Sequence, residues 1–267
     1  MVEIKLTSSR DVGQDHAHQA IDAAFLIIEK IQHLMSFHDA NSQLSQLNRE
    51  AHLRAIPVHP FVYAVLIRAQ KIFLASEGLF DCTVADVLVD WSLLPQQGDQ
   101  ASPEAVTQAD VMLLADYMVQ YRTPLLIDFG GIAKGFAVDL AIQTLRQCGI
   151  KNAVVNAGGD LRVLGHNAEP ISVRSPSNVE QLISVGELSA GALATSGIYY
   201  SETSHQGQSV SALVNPINRQ PVLNQHSFSV IAPTAWLADA LTKVVAVSGN
   251  IEHPCLSRFG AKAFTIY

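Results

Sequence analysis

Apolar positions after Asp15 recur at helical spacing, with Ile21, Ala24, Phe25, Ile28 and Met35 on one face. They predict an amphipathic helix that gives way to the polar turn Phe37–Ser42. A second helix is predicted from about Pro60 to Ser76, with Val65, Ala69, Ile72 and Phe73 inward and Gly78 placed to stop it. A third begins near Thr83, and Ser102-Pro103-Glu104 reads as the cap and first turn of another. Beyond residue 120 the apolar runs shorten. Leu125–Ile127 reads as a buried strand, followed by Gly130-Gly131 and a helical pattern to Gly149. Ala153–Asn156 reads as another strand, ahead of Gly158-Gly159-Asp160. Ile171–Arg174, Leu182–Val185 and Val210–Val214 are short and β-like. Ser227–Ile231 leads through Pro233 to a helix ending near Val247, and Ala263–Tyr267 closes the chain as a strand.

Helices therefore come first, mixed strands follow, and strict βαβ alternation is absent. That order predicts an α+β fold rather than a doubly wound sheet. A length of 267 residues suits one large domain or two tightly packed lobes. A seam between lobes is placed near Arg122, although no Gly, Ser or Pro linker marks it. Apolar residues make up 48% and charged residues 15%, which supplies a large core and excludes disorder. With 17 basic and 24 acidic residues the formal charge is −7, the wrong sign for a phosphate-backbone binder. No apolar run approaches the roughly 18 residues of a membrane span. Met1–Arg10 shows neither a basic-then-apolar layout nor a lipidation cysteine. The chain as it stands is thus expected in the cytoplasm, or outside it if an export segment has been removed.

Cys82, Cys148 and Cys255 are widely spaced, odd in number and free of CxxC pairing, and read as reduced structural thiols. The 10 histidines show metal-type spacing only at His16-Ala-His18, which reads as a solvated helix start, so zinc is not expected. The strongest local signal is Asp128-Phe-Gly-Gly-Ile-Ala-Lys-Gly135. Two glycines let the backbone turn, a helix follows, and Lys134 adds positive charge at its N-terminus. The run lacks P-loop and GxGxxG spacing, so phosphate binding and a plain turn into a helix fit it equally well. Asn156-Ala-Gly-Gly-Asp160 repeats the theme, either as an ordinary turn or as a second close-approach site on the same edge. Ala194-Thr-Ser-Gly197 offers two hydroxyls beside a glycine and by itself reads as a local turn. Asp239 sits inside the apolar helix Trp236–Val247 and must face solvent, a partner or a metal. Lys243, four residues on, makes an internal ion pair the simplest of these.

In this order the segments resemble the ApbE family of FAD:protein FMN transferases, from about Met35 to Gly249. The resemblance rests on Met35–Asn48, Leu79-Phe-Asp-Cys-Thr-Val84 with Trp91, Asp128–Asp139, Asn156–Asp160, Ala194–Gly197 with Tyr199, and Leu237-Ala-Asp-Ala-Leu241. It implies an ApbE-like α+β fold, with mostly antiparallel sheets flanked by helices and two lobes around a flavin cleft. It also implies FAD as substrate and Mg²⁺-dependent transfer of FMN to a Thr or Ser hydroxyl of an acceptor flavoprotein, releasing AMP. On that resemblance Gly130, Gly131, Ala133, Lys134, Gly158, Gly159, Asp160, Thr195 and Ser196 line the flavin site, and Met35, His38 and Thr83 contact the ring. The Ala133 carbonyl and Asp239 would hold Mg²⁺, and Asp239 and Lys134 would serve the reaction.

Departures from the family pattern fall in the reaction centre. Ala212 stands where the family has a His thought to assist the acceptor hydroxyl, and Asn215 where it has Asp. An alanine cannot take a proton, and His205 on a predicted loop is the nearest surrogate base. Lys243 stands where a Thr hydroxyl joins the metal, which puts Mg²⁺ in question and adds an ammonium to the flavin site. Gln43 and His38 replace a Glu and a Tyr. These substitutions keep a second reading open, a family member that binds FAD with reduced or lost transfer.

Overall fold

A computed structural model describes residues 1–6, 13–97, 106–178, 180–197, 202–224 and 226–267. The chain opens with β1 (Val2–Leu6), α1 (Gln14–Met35), α2 (Gln43–Glu50), β2 (Ile56–Pro57) and α3 (Pro60–Ala75). A 3₁₀ turn at Cys82–Val84 leads into α4 (Ala85–Asp90), then β3 (Val111–Leu113), β4 (Met118–Tyr121) and α5 (Ala133–Gln147). Seven strands follow: β5 (Ala153–Ala157), β6 (Asp160–Leu164), β7 (Glu169–Arg174), β8 (Leu182–Leu188), β9 (Ala192–Ser196), β10 (Thr203–His205) and β11 (Gln208–Val210). The described chain closes with β12 (Ser227–Ala232), α6 (Ala235–Ser248), α7 (Pro254–Arg258) and β13 (Lys262–Ile266). The cap expected at Ser102-Pro103-Glu104 lies outside the described residues, as does Tyr199.

The chain divides into two compact units. The first comprises Met1–Lys30, Lys134–Tyr199 and Asn224–Tyr267. Its centre is a six-stranded sheet in the order β1-β5-β6-β9-β12-β13, antiparallel at every pairing. Helix α6 packs on β9 and β12, and Leu237, Ala238, Asp239, Ala240, Leu241 and Val244 along it are all buried. A β7–β8 ribbon adds Ile171 to the cluster of Leu161, Val163 and Leu193 on the sheet. The second unit comprises Ile31–Ala133 and Tyr200–Leu223. It holds α2, α3 and α4, the three-stranded sheet β2-β4-β3 and the β10–β11 ribbon. Antiparallel sheets with helices confirm the α+β expectation.

Most predicted elements form, and three expectations need correction. Along α1 the fully buried face is Ala17, Ala20, Ala24, Ile31 and Met35, whereas Ile21, Phe25 and Ile28 are half-buried. Val210–Val214 is not one strand. β11 stops at Val210, where the Ser211 hydroxyl donates to the Val222 carbonyl at 2.8 Å and accepts the Leu213 N–H at 3.3 Å, and Val214 then makes only an isolated bridge to Pro221. Leu125–Ile127 is buried as expected but pairs with no strand. Its backbone partner is a side chain: Asn48 Nδ2 donates to the Ile127 carbonyl at 3.1 Å, and the Ile127 N–H donates to Asn48 Oδ1 at 2.9 Å. Asn48 imitates a strand edge there. Gln97 supports it by accepting from Asn48 Nδ2 and donating to Ser45 Oγ and the Phe37 carbonyl. Truncating Asn48 to Ala strips both backbone groups of their partner in a dry site, so N48A is expected to cost about 2 kcal/mol, read as a lowered urea midpoint.

Candidate functional site

Asp128 organises the turn ahead of α5. Its N–H donates to the Cys82 carbonyl, and its Oδ2 accepts the Gly130 N–H at 2.9 Å. A Cβ on Gly130 would lie 2.6 Å from that oxygen, so a larger residue would have to turn the Asp128 carboxylate away from the Gly130 N–H. The N–H groups of Ile132 and Ala133 donate to the Phe129 carbonyl, and the helix begins. The expected strand end ahead of Gly130-Gly131 is absent, so the two glycine pairs do not repeat one strand-end motif on a common edge. Gly158 and Gly159 instead form the two-residue turn of the β5–β6 hairpin, where Ala157 faces Asp160. Their φ values of +65° and +104° are those such a turn requires. The Gly159 N–H is held by Asn156 Oδ1 at 2.9 Å. This hairpin delivers Asp160 at the head of β6, buried.

Within the first unit, α5 and α6 meet at a glycine. A Cβ on Gly135 would stand 2.3 Å from the Ala235 carbonyl oxygen, so only glycine allows the helix starts this close. Two aspartates lock the approach. Asp239 Oδ2 accepts the Gly135 N–H at 3.1 Å. Asp139 accepts the N–H groups of Ala235 and Trp236, both at 2.9 Å, and pairs with Arg162 at 2.6 Å. The first turn of α6 is thereby capped from another helix. Burial outweighs Arg162 and the two N–H groups and pushes the Asp139 carboxyl above its ordinary pKa.

Four charged groups converge beside this approach. Lys134 Nζ lies 2.7 Å from Asp160 Oδ2 and 3.6 Å from Asp239 Oδ1. Lys243 Nζ donates to the same Asp239 Oδ1, one helical turn along α6. Two ammonium groups thus face two carboxylates, and their charges cancel. The Asp239 side chain is 0% exposed, Lys243 19% and Lys134 50%, so the quartet runs from a sealed carboxylate to a solvent-reaching lysine. Burial opposes the Asp239 charge, but Lys134 and Lys243 hold its carboxyl below the ordinary value. Burial and the neighbouring Asp239 push Asp160 the other way, above it. Burial also works against the Lys134 charge, yet Asp239 and Asp160 outweigh it and raise that pKa. Lys134 and Asp239 thus each favour the other's charged form.

Thr195 and Ser196 end strand β9 and do not form the local turn their sequence favours. Thr195 Oγ1 pairs with Ser229 Oγ on β12 at 2.8 Å. Ser196 Oγ lies 2.6 Å from Thr242 Oγ1, which itself donates to the Asp239 backbone carbonyl at 2.7 Å. A hydroxyl carries one proton, so Ser196 is the donor of that pair. Thr242 joins the site without having been singled out from sequence, and Asp139 and Asn156, quoted there only as ends of motifs, join it too. A buried Asp in an apolar helix, the signal that marked Asp239, also marks Asp139.

The second unit holds the remaining candidates. Met35 is buried at the end of α1, and His38 is exposed in the turn after it. Thr83 is buried, and its hydroxyl donates to Asp81 Oδ1 at 2.7 Å. Gln43 Oε1 accepts the His59 N–H at 2.7 Å. His205 is half-buried at the end of β10, in a hairpin rather than the loop expected for it. Ala212 is exposed.

Mg²⁺ of the kind the resemblance implies needs several hard oxygens with little competing positive charge. Here Asp239 Oδ1 already takes two ammonium groups and Oδ2 takes an N–H. The hydroxyl nearest along the helix, Thr242, is turned to the backbone carbonyl of Asp239. Among the described residues no three His, Cys, Asp or Glu side chains are grouped for a metal. This arrangement does not fit a divalent cation.

Comparison with known proteins agrees on one family. The ApbE family profile matches residues 1–259. A FAD:protein FMN transferase of Vibrio cholerae is 26% identical over 242 residues, spanning 84% of this chain and 72% of that protein. The FAD:protein FMN transferase of Rhodobacter capsulatus is 29% identical over 239 residues, and the match spans 84% of this chain but only 46% of that longer relative. Among solved structures, the apo flavinyl transferase ApbE of Pseudomonas stutzeri superposes with a TM-score of 0.81 at 24% identity, covering 99% of this chain and 86% of that one. The flavin transferase ApbE of Vibrio cholerae gives 0.82 at 22% identity, covering 99% and 89%. Identities at this level carry the fold.

Proposed function

The chain belongs to the ApbE family, and from that premise we propose that it binds FAD and transfers FMN to a Thr or Ser hydroxyl of an acceptor flavoprotein. In that reaction the acceptor oxygen bonds to the FMN phosphorus, the phosphorus–oxygen bond to the AMP half breaks, and AMP leaves with the electron pair. The hydroxyl proton is lost to a base. Such a transfer asks the protein mainly to position the diphosphate and to offset its negative charge.

The observation that carries this reading is Lys134, half exposed yet anchored by Asp160 and Asp239 in the first turn of α5. Two carboxylates fix where its ammonium points, and its exposed half is left to meet a phosphate. The Gly158-Gly159 turn supports the same reading, because an added Cβ at either residue would meet nothing within 4 Å and a ligand can lie against bare backbone. Gly130, Gly131 and Ala133 are the proposed approach from the other glycine turn. Thr195 and Ser196 on the first unit, and Met35, His38 and Thr83 on the second, are each proposed flavin contacts by the family resemblance. No step is assigned to Mg²⁺, since Asp239 is already committed to the two lysines.

A base must take the acceptor proton. Ala212 offers no proton acceptor, and His205 is the histidine we assign to that task. The exposed methyl of Ala212 favours a second reading, in which the chain holds FAD without turning it over. Incubating the protein with FAD and a Thr-bearing acceptor domain separates the two. Released AMP with an FMN-sized mass gain on the acceptor is the expected result. Intact FAD that stays bound, with no AMP, would establish the binder instead.

A further inference from the structure

We propose that Lys243 is the resident cation of this site, its ammonium standing where a divalent ion would join Asp239 to the FAD diphosphate, so that the chain binds FAD without metal. The inference rests on the flavin reading above. Lys134 and Lys243 supply two positive charges and Asp160 and Asp239 two negative ones, all linked through contacts of the quartet. The four groups balance among themselves, so only the charge of the diphosphate itself would draw a metal here. A divalent ion at Asp239 Oδ1 would have to expel Lys243, whose own side chain is only 19% exposed, or accept both ammonium groups as close neighbours. Like charges so near one another in a partly dry site repel strongly.

The oxygens point the same way. Oδ2 of Asp239 is committed to the Gly135 N–H, and that bond holds α5 against α6 at a contact no other residue fits. The Thr242 hydroxyl donates to the Asp239 backbone carbonyl and accepts from Ser196, which fixes its orientation on α6. An ammonium carries three N–H groups. Among the described residues Lys243 gives one to Asp239, and its residual exposure leaves a path for the others to an anionic oxygen. A lysine on a rigid helix, held by a buried carboxylate, performs the charge-offsetting part of a metal's work. It does so without a coordination shell and with one charge in place of two.

The alternative is that Lys243 serves Asp239 alone and never meets the ligand. FAD titrations of the full chain, followed by flavin fluorescence in EDTA and in millimolar Mg²⁺, decide between them, together with Mn²⁺ uptake measured by electron paramagnetic resonance. The wild type is expected to bind FAD equally well in both buffers and to take up no Mn²⁺ with FAD present. Lys243→Met is expected to lose about tenfold or more in FAD affinity in EDTA, the scale of one charge-assisted contact. Lys243→Thr should lose the same in EDTA and regain it when Mg²⁺ is supplied. One Mn²⁺ bound per wild-type chain, or wild-type affinity that rises about tenfold with Mg²⁺, would overturn the proposal without needing any variant. Unchanged FAD affinity in Lys243→Met would reduce Lys243 to a partner of Asp239 and overturn it equally. A wild type that binds FAD in neither buffer would sink the flavin reading itself, an outcome distinct from metal uptake.

Discussion

Asp239→Asn is expected to abolish FAD binding and to lower stability by about 3 kcal/mol, measured as a shift in the urea midpoint with the slope unchanged. The Asp239 side chain is sealed from solvent, and it is where the two lysines and the Gly135 N–H meet. An amide of the same shape offers one acceptor oxygen to these donors and brings a donor of its own against an ammonium. Asp160 alone then faces two positive charges. Breaking a buried pair from one side costs about 3–5 kcal/mol, and the lower end applies because Lys134 is half exposed and its share is screened by water. The loss should also show in acid. Lys134 and Lys243 hold the folded carboxyl of Asp239 below 3.8, its ordinary value. As pH falls below 3.8 the unfolded chain takes up this proton before the folded chain does, so the stability Asp239 contributes is complete above that pH and drains away beneath it. Asp160 acts in the opposite sense, because its raised pKa lets the folded chain bind the proton first. Acid unfolding of Asp239→Asn should therefore lack the part of the wild-type decline that lies below 3.8.

Gly135→Ala should be nearly as damaging although it adds a single methyl group. The new carbon would lie 2.3 Å from the Ala235 oxygen, 2.5 Å from the Ala235 carbonyl carbon and 2.7 Å from the Trp236 nitrogen. All three are backbone atoms, so no side-chain rotation relieves the clash, and α5 must move off α6. That motion lengthens the Gly135–Asp239 bond and pulls Asp139 from the N–H groups of Ala235 and Trp236. Overpacking in a core commonly costs about 1–3 kcal/mol, and a backbone-to-backbone clash belongs at the top of that range or above it. The expected result is a loss of about 3 kcal/mol by thermal or urea unfolding, together with weakened FAD binding. Gly149→Ala is the control. Its Cβ would meet nothing within 4 Å, so only the φ of +80° is penalised, at about 1–2 kcal/mol and with FAD binding intact.

What could be read from the chain follows the range of the interaction that decides it. Gly78 was placed as the stop of α3, and it takes φ +85° with its N–H on the Phe73 carbonyl, a choice made within one turn. The Asp239–Lys243 pair was legible for the same reason, because four residues on a helix are neighbours whatever the rest of the fold does. Thr195-Ser196 looked like a turn until β12 offered a longer strand to pair with. Leu125–Ile127 looked like a strand, and its burial was right. Its hydrogen bonds went to Asn48, 79 residues away, which no spacing rule announces.

The sequence by itself determined the α+β order, the helices carrying Lys134 and Asp239, and the presence of two glycine turns in a family-like sequence of motifs. Each of these rests on periodicity, on φ preferences or on residues a few positions apart. Only the tertiary structure decided that Asp160 and Asp239 would share Lys134. That required the β5–β6 hairpin to present Asp160 26 residues beyond the lysine. It also required Gly135 to let α6 approach so that Asp239, 104 residues from that glycine, reaches its N–H. Buried charge is where such long-range choices matter most, because a carboxylate taken from water must find its partners wherever the packing brings them.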